Sequence, residues 1–465
     1  MCKTMKWASL LTERRFHASG EDDRQKENGR SQFQKDIDRI IFSSAFRRLG
    51  RKTQVHLLSK NDHVHTRLSH SLEVSCVGQS LGVRVGRWLR DEQKEVLREE
   101  FRPSSIGEIV QGACLAHDIG NPPFGHAAED AIRKWFQENL EFDTGDRNKE
   151  FAQAQRLDLE RFDGNAMAFR VATYKEYYEG EGGMRLTCAT LGTLLKYPWT
   201  SHFAEPKPKF SCFQTEYESL CEIAGELGLI EKIHDRSESK AEYARHPLAY
   251  LVEAADDICY HILDIEDAIE LNLLCSDYLK THFAADVDNE LTVTQRSLLE
   301  SESVSWRIKN GLLRGKMVGR MVREAVDVFK AHYDEIMQGN FKGSLVAATD
   351  SDSLCSKLEQ LYKDKKEKLE DRIYRNDRNV PLELGVYSVL RTLLETSMEA
   401  ACEIVNGGRR SYKTEIIRKF IKQDAGDRFK DKDLYGVIML FLDYVTGMTD
   451  DYATYVNRQL LGIGN

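Results

Sequence analysis

Three apolar stripes, each stepping by three or four residues, constrain this chain most, because each brings a histidine on the stripe itself or aspartates on the side opposite. The first runs His70, Val74, Val77, Leu81, Val85 and Trp88. The second runs Ile106, Ile109, Val110, Ala113 and Cys114 and arrives at His117. The third follows Pro247 through Leu248, Leu251, Ala255, Ile258, Ile262, Ile265 and Ile269, with Asp256, Tyr260 and Asp264 at four-residue spacing on its other side. This is the period of amphipathic helices. With 8 Pro in 465 residues and a hydrophobic content of 41%, the chain reads as a mainly α protein with few short strands and a substantial core.

Local signals place the polar residues. Ser105 and Glu108 form a capping-box pattern just after Pro103, opening the second helix. Gly120-Asn121-Pro122-Pro123 must end it, since proline lacks an amide donor and disfavours helical backbone before it. His117 and Asp118 therefore sit at a helix C-terminus beside a tight turn. A further helix is expected from about Gly125 through Ala128, Ile132 and Phe136, which sets His126 and Glu129 one turn apart on one face. A carboxylate beside an imidazole orients it and favours its protonated form, a pairing suited to acid-base chemistry.

Breaks are expected at Asp143 to Glu150, Gly180 to Gly183, Glu205 to Lys209 and His234 to Lys240, with no repeat or low-complexity tract. The ten cysteines, from Cys2 to Cys402, form no C-x-x-C pair, which argues against a zinc ribbon or a disulfide framework and for a reducing cytoplasm. The apolar patch Trp7 to Leu11 is too short for a signal peptide, and no segment approaches the roughly 20 apolar residues of a membrane span. A soluble, cytoplasmic protein is expected. The formal charge of −9 argues against nucleic acid as the main ligand. Two basic patches, Lys363 to Lys368 and Arg409 to Lys422, read as solvated helix faces.

Taken singly, His117, Asp256, Tyr260 or Asp264 has a structural explanation, as a satisfied core group or a wet helix face. Adjacent His117-Asp118 is different, because an imidazole nitrogen and a carboxylate oxygen side by side offer two ligands to a divalent metal. A distant His and Asp would complete the set.

Longer motifs then match a known family in order. Asp38-Arg39-Ile40-Ile41-Phe42-Ser43-Ser44-Ala45-Phe46-Arg47-Arg48-Leu49 with Lys52-Thr53-Gln54-Val55, and Thr66-Arg67-Leu68-Ser69-His70-Ser71-Leu72-Glu73-Val74, open the series. His117-Asp118-Ile119-Gly120-Asn121-Pro122-Pro123-Phe124-Gly125-His126 continues it without a break. Leu186 to Leu191 with Lys196-Tyr197-Pro198, Glu253 to Tyr260, and Gly447-Met448-Thr449-Asp450 with Tyr452-Ala453 complete it. Over nearly its whole length the chain resembles the bacterial dGTPase-like dNTP triphosphohydrolases of the HD superfamily.

The resemblance implies an HD-domain helical core over residues 1–270 and a helical C-terminal region over 271–465 that packs on it and contributes to a homo-oligomer, a hexamer. It implies one divalent ion per site, manganese or magnesium first, with iron, nickel or zinc compatible, held by His70, His117, Asp118 and Asp256. His126 and Glu129 match the catalytic pair, with the roles of base and acid open for His126. Arg67, Lys196 and Tyr197 would hold phosphates, and Gln54, Tyr260 and Asp264 would surround the deoxyribose. The implied reaction is hydrolysis of a dNTP, dGTP favoured, at the α-phosphorus to deoxynucleoside and tripolyphosphate. A nucleotide activator and single-stranded DNA are further partners, and base preference stays open.

Two positions depart from the family pattern: Arg185 precedes Leu186 where Asn is frequent, and Met167 follows Gly164-Asn165-Ala166 where Gln is common. Both bear on substrate contacts. His65 reads as a surface or outer histidine rather than a ligand. The rival readings are another HD nucleotide phosphohydrolase, and a nucleic-acid-binding regulatory protein with a vestigial HD site.

Overall fold

The first two stripes become the helices Arg67–Glu92 and Pro103–Ala116, which pack antiparallel against each other. Their approach is close because glycines line it. A Cβ on Gly86 would lie 2.9 Å from the Pro103 Cα, and one on Gly82 would lie 2.8 Å from the Gly107 Cα. Running this antiparallel register on through Gly78, which faces Cys114, brings the start of one helix, with His70, beside the end of the other, with His117. The third stripe, Ala249–Glu270, crosses both, and Ala255 also faces Gly78. Leu248, Leu251, Ala255, Ile258, Ile262, Ile265 and Ile269 are all buried, as the period requires.

The computed structural model describes residues 3–17, 29–59, 61–92, 102–140, 151–175, 182–203, 209–364, 369–375, 379–406, 411–421 and 429–463. The protein is mainly α, and among the described residues the sheet is one antiparallel hairpin, Glu231–Asp235 with Lys240–Tyr243. The expected break from His234 to Lys240 is the tip of this hairpin: positions 236–239 turn, between His234 and Asp235 at the end of one strand and Lys240 at the start of the other. The breaks at Asp143 to Glu150, over 180–181 and over 205–208, and residues 365–368, 409–410 and 422 of the two basic patches, lie outside the described residues.

The capping pattern at Ser105 is also corrected. The helix starts two residues earlier, with Arg102 as its cap and Pro103 in the first turn, where a missing N–H costs nothing. Glu108 instead accepts hydrogen bonds from Ser31 Oγ (2.5 Å) and Gln34 Nε2 (2.9 Å), tying the second helix to Gln32–Phe42. A true capping box forms there, between Ser31 and Gln34.

Near the C-terminus, Leu434–Thr446 is apolar almost all round and inserts into the core. Its Asp443 accepts Arg170 Nε and Nη2 at 2.8 and 2.9 Å, while Arg170 Nη1 reaches Glu216 at 2.6 Å. All three side chains are buried. Removing the cation leaves two uncompensated carboxylates in low dielectric, so Arg170→Ala is expected to lose about 3–5 kcal/mol of stability. Urea unfolding followed by circular dichroism checks this, and an unchanged midpoint would show the triad to be dispensable. No helix among the described residues is long and apolar enough to cross a membrane.

Candidate active site

His70 occupies the first turn of its helix and His117 caps the end of its own. His117 Nδ1 lies 2.6 Å from the Cys114 carbonyl, which only accepts, so the ring proton sits on Nδ1 and Nε2 keeps its lone pair. His70 Nε2 lies 3.1 Å and His117 Nε2 3.6 Å from Asp256 Oδ1, and one ligand atom from each of the three residues lies within 4.8 Å of the others. Two imidazoles and a carboxylate form a donor set that fits a divalent metal. Burial opposes ionisation of Asp256, but His117, the His70 hydrogen bond and Lys196 hold its carboxyl well below the usual range.

Asp118 adjoins this cluster, with Oδ1 3.5 Å from His117 Nε2. Both of its oxygens are engaged: Arg67 Nη1 donates to Oδ2 at 2.6 Å and Asn121 Nδ2 to Oδ1 at 2.5 Å. Despite its burial, Arg67 and then the two histidines bring its carboxyl down to about 2. Arg67, expected to hold phosphate, is thus a buried partner of Asp118 that also lines the cavity.

The turn after Asp118 is held from two distant segments. Lys52 Nζ donates to the Asn121 carbonyl (2.6 Å) and the Thr446 carbonyl (2.7 Å). Asp450 accepts the Phe124 N–H on one oxygen and the Thr53 N–H on the other, both at 2.9 Å. Phe124 needs that support, because it stands at φ 65°, a region costly for a residue with a Cβ. Gly125 follows at φ 62°, and a Cβ there would come within 2.7 Å of Arg67 Nη2. The turn then releases directly into His126–Asn139.

His126, at the start of that helix, is exposed, and its Nδ1 lies 3.2 Å from Glu129 Oε2. Glu129 is buried and well supplied: the Gly164 N–H donates to Oε1 at 2.7 Å, with Arg133 Nη2 3.4 Å and Lys209 Nζ 3.6 Å from Oε2. Burial opposes, but His126, Lys209 and Arg133 bring its carboxyl down to about 2, so it remains an acceptor at any working pH. Lys209 and the Gly164 amide escaped the sequence reading. Lys209 follows the polar segment read there as a loop, and a backbone donor leaves no mark in residue type.

One cavity of about 560 Å³ gathers these groups. Of the twelve residues nominated from the sequence, all but His70 and Asp264 line it. Lys196 Nζ stands 3.6 Å from Glu253 and 4.0 Å from Asp256. Tyr197 is alongside. Gln54 presents a buried Oε1 with no hydrogen-bond partner, an acceptor open to a ligand hydroxyl. Tyr260 stacks on Tyr374, with ring centroids 5.8 Å apart at 13°. The Tyr374 hydroxyl donates to Asp264, so Tyr374 lines the cavity where Asp264 was expected to. Burial pushes Asp264 up to about 8.

Neither departure from the family pattern reaches this cavity. Met167 is fully buried in the core, and Arg185 uses its carbonyl to accept from Arg15 and Arg39. His65 lies outside as well, 2.6 Å from Asp267 and 3.3 Å from Glu73.

Comparison with known proteins agrees with this geometry. The family model for the HD domain matches residues 67–175, which span His70, His117, Asp118, His126 and Glu129. A deoxyguanosinetriphosphate triphosphohydrolase-like protein of Pseudomonas aeruginosa is 43% identical over 98% of this chain and 99% of its own length. One of Synechocystis is 37% identical over 99% of this chain and 100% of its own length. The deoxyguanosinetriphosphate triphosphohydrolase of Klebsiella pneumoniae is 30% identical over 93% of this chain and 94% of its own length. Likeness of this extent, covering nearly the whole chain and with it the helices that converge on the cavity, makes the chain a member of the dGTPase-like family of HD-domain proteins.

Proposed function

We propose that this chain is a metal-dependent dNTP triphosphohydrolase, hydrolysing a dNTP at the α-phosphorus to a deoxynucleoside and tripolyphosphate. The observation that carries the reading is one cavity lined by His117 and Asp256 of the cluster that His70 completes, by a His-carboxylate pair and by the cations of Arg67, Lys196 and Lys209. A divalent ion held by His70, His117 and Asp256, with Asp118 as fourth donor, would neutralise phosphoryl charge and sharpen the electrophilicity of phosphorus. The family points to manganese or magnesium.

The residues of the chain supply the rest. Lys196, Tyr197 and Lys209 hold the phosphate tail and fix its direction. His126, oriented by Glu129, moves one proton, either from the attacking water or to the departing 5′-oxygen, which is a poor leaving group as an alkoxide. Gln54 meets the 3′-hydroxyl. Asp264 does so once Tyr374 turns aside, and Tyr260 packs against the 2′ side. Residues 1–270 form the catalytic unit in this reading, and 271–465 buttress it and contribute to a hexamer. Exposed apolar side chains such as Val293 and Tyr412 offer surface for that assembly.

Incubating metal-loaded protein with each dNTP and resolving tripolyphosphate, pyrophosphate and phosphate tests the reaction. Tripolyphosphate is expected, and phosphate alone would give the site to a nucleotidase instead. The sugar provides a sharper check. Packing of Tyr260 leaves no room for a 2′-hydroxyl, so kcat/KM for dGTP should exceed that for GTP by on the order of 10²-fold. Tyr260→Ala should bring that ratio at least about tenfold closer to one, at some cost in turnover. Equal ratios in the two proteins would remove Tyr260 as the gate.

A further inference from the structure

Away from the cavity, the helix Tyr217–Leu227 packs against the hairpin and brings a second set of chemically capable groups together. Cys221 Sγ lies 3.8 Å from His234 Nε2, and His234 Nδ1 lies 2.9 Å from Glu231 Oε2. Glu231 and His234 share the first strand, three residues apart, so the carboxylate reaches back to the ring. The imidazole sits between two phenols, its centroid 6.2 Å from those of both Tyr217 and Tyr243, and the Tyr217 hydroxyl is 2.9 Å from Nε2. We propose that Cys221, His234 and Glu231 form a reactive-thiol site, at which hydroperoxides and other soft electrophiles modify this chain.

The order of groups is the one that generates a nucleophilic sulfur. A thiol is a weak nucleophile until its proton is removed, and an adjacent imidazole backed by a carboxylate removes it. Glu231 accepts from Nδ1 and stabilises the imidazolium formed when His234 takes the thiol proton at Nε2, the Tyr217 hydroxyl, 2.9 Å from Nε2, turning its hydrogen bond from the nitrogen to the sulfur as it does so. Burial, with the sulfur adding to it, pushes both phenols above their ordinary range, so they stay protonated beside the sulfur. With hydrogen peroxide, the thiolate attacks one oxygen, the S–O bond forms and the O–O bond breaks. The departing oxygen takes the proton from His234 and leaves as water. Sulfur is oxidised to sulfenic acid and the peroxide is reduced.

Exposure alone predicts a different order of reactivity. Among the described residues Cys76 and Cys275 are exposed, Cys221 and Cys402 are only partly so, and Cys114, Cys188, Cys212, Cys259 and Cys355 are buried. Cys275 stands beside the Asp277 carboxylate rather than an imidazole, and partial desolvation with that carboxylate pushes its thiol up. Native full-length protein treated briefly with limiting iodoacetamide, then digested and quantified by mass spectrometry, distinguishes the two orders. Cys221 is expected to react at least about tenfold faster than Cys76 and Cys275, and His234→Gln to remove that advantage while leaving the other two rates unchanged. Peroxide followed by dimedone should place the sulfenic-acid adduct on Cys221. Should His234→Gln misfold, Glu231→Gln, at a half-exposed strand end, is expected to slow Cys221 about threefold. Cys76 or Cys275 reacting first, or a Cys221 rate untouched by the folded variants, would overturn the proposal.

Discussion

Asp256→Ala and His117→Ala proteins are expected to retain no stoichiometric divalent ion and to lose at least about 10⁴-fold in kcat/KM while keeping their helical content. The two residues fail for different reasons. Asp256 supplies the only carboxylate in the triplet, and without it two imidazoles and the nearby Lys196 ammonium face each other. His117 supplies a neutral nitrogen that is already aimed, since the Cys114 carbonyl fixes its tautomer. Both side chains are only partly buried, so the fold loses little packing. Metal content by elemental analysis, circular dichroism and turnover should be measured on one preparation. Full activity in metal-free variant protein would remove the triplet from the site.

The sequence reading was strongest where a period and a polar residue coincide. The period puts His70 and His117 on helical stripes and Asp256 on the other side of a third, Gly120 to Pro123 mark where the second helix must stop, and the family resemblance singles these polar residues out as a set. The antiparallel register that joins them was not legible, because it depends on Gly82 and Gly86 meeting Gly107 and Pro103, a contact between distant segments that leaves no local pattern. The same holds for Asp450. It could be matched to a family motif, but its work, receiving the amides of Thr53 and Phe124, needs three parts of the chain brought together in space. Asp264 does not itself line the cavity, and a helical wheel could not show this, because it gives a face and not what covers it; Tyr374, over a hundred residues on, supplies the cover. The capping pattern at Ser105 yielded to tertiary contact, as Glu108 is worth more to Ser31 and Gln34 than to its own helix end.

His126→Ala separates chemistry from metal binding, because His126 belongs to a different helix from any residue of the triplet and contacts Glu129 instead. The variant should bind its ion as the wild type does and lose about 10²–10⁴-fold in kcat, the usual contribution of a positioned general acid or base. Its exposure makes the substitution benign: no core contact is broken, and Glu129 keeps the Gly164 amide, Arg133 and Lys209 as partners. KM should therefore move much less than kcat. Glu129→Gln forms the complementary arm. It keeps the shape but removes the charge that orients His126, so kcat should fall by less than in His126→Ala. Combining the two changes should add little to the His126 loss, since Glu129 acts through the imidazole. Loss of metal in His126→Ala comparable to that in His117→Ala would mean that the histidine is a ligand, and an unchanged kcat would mean that the proton moves through water or Lys209 instead.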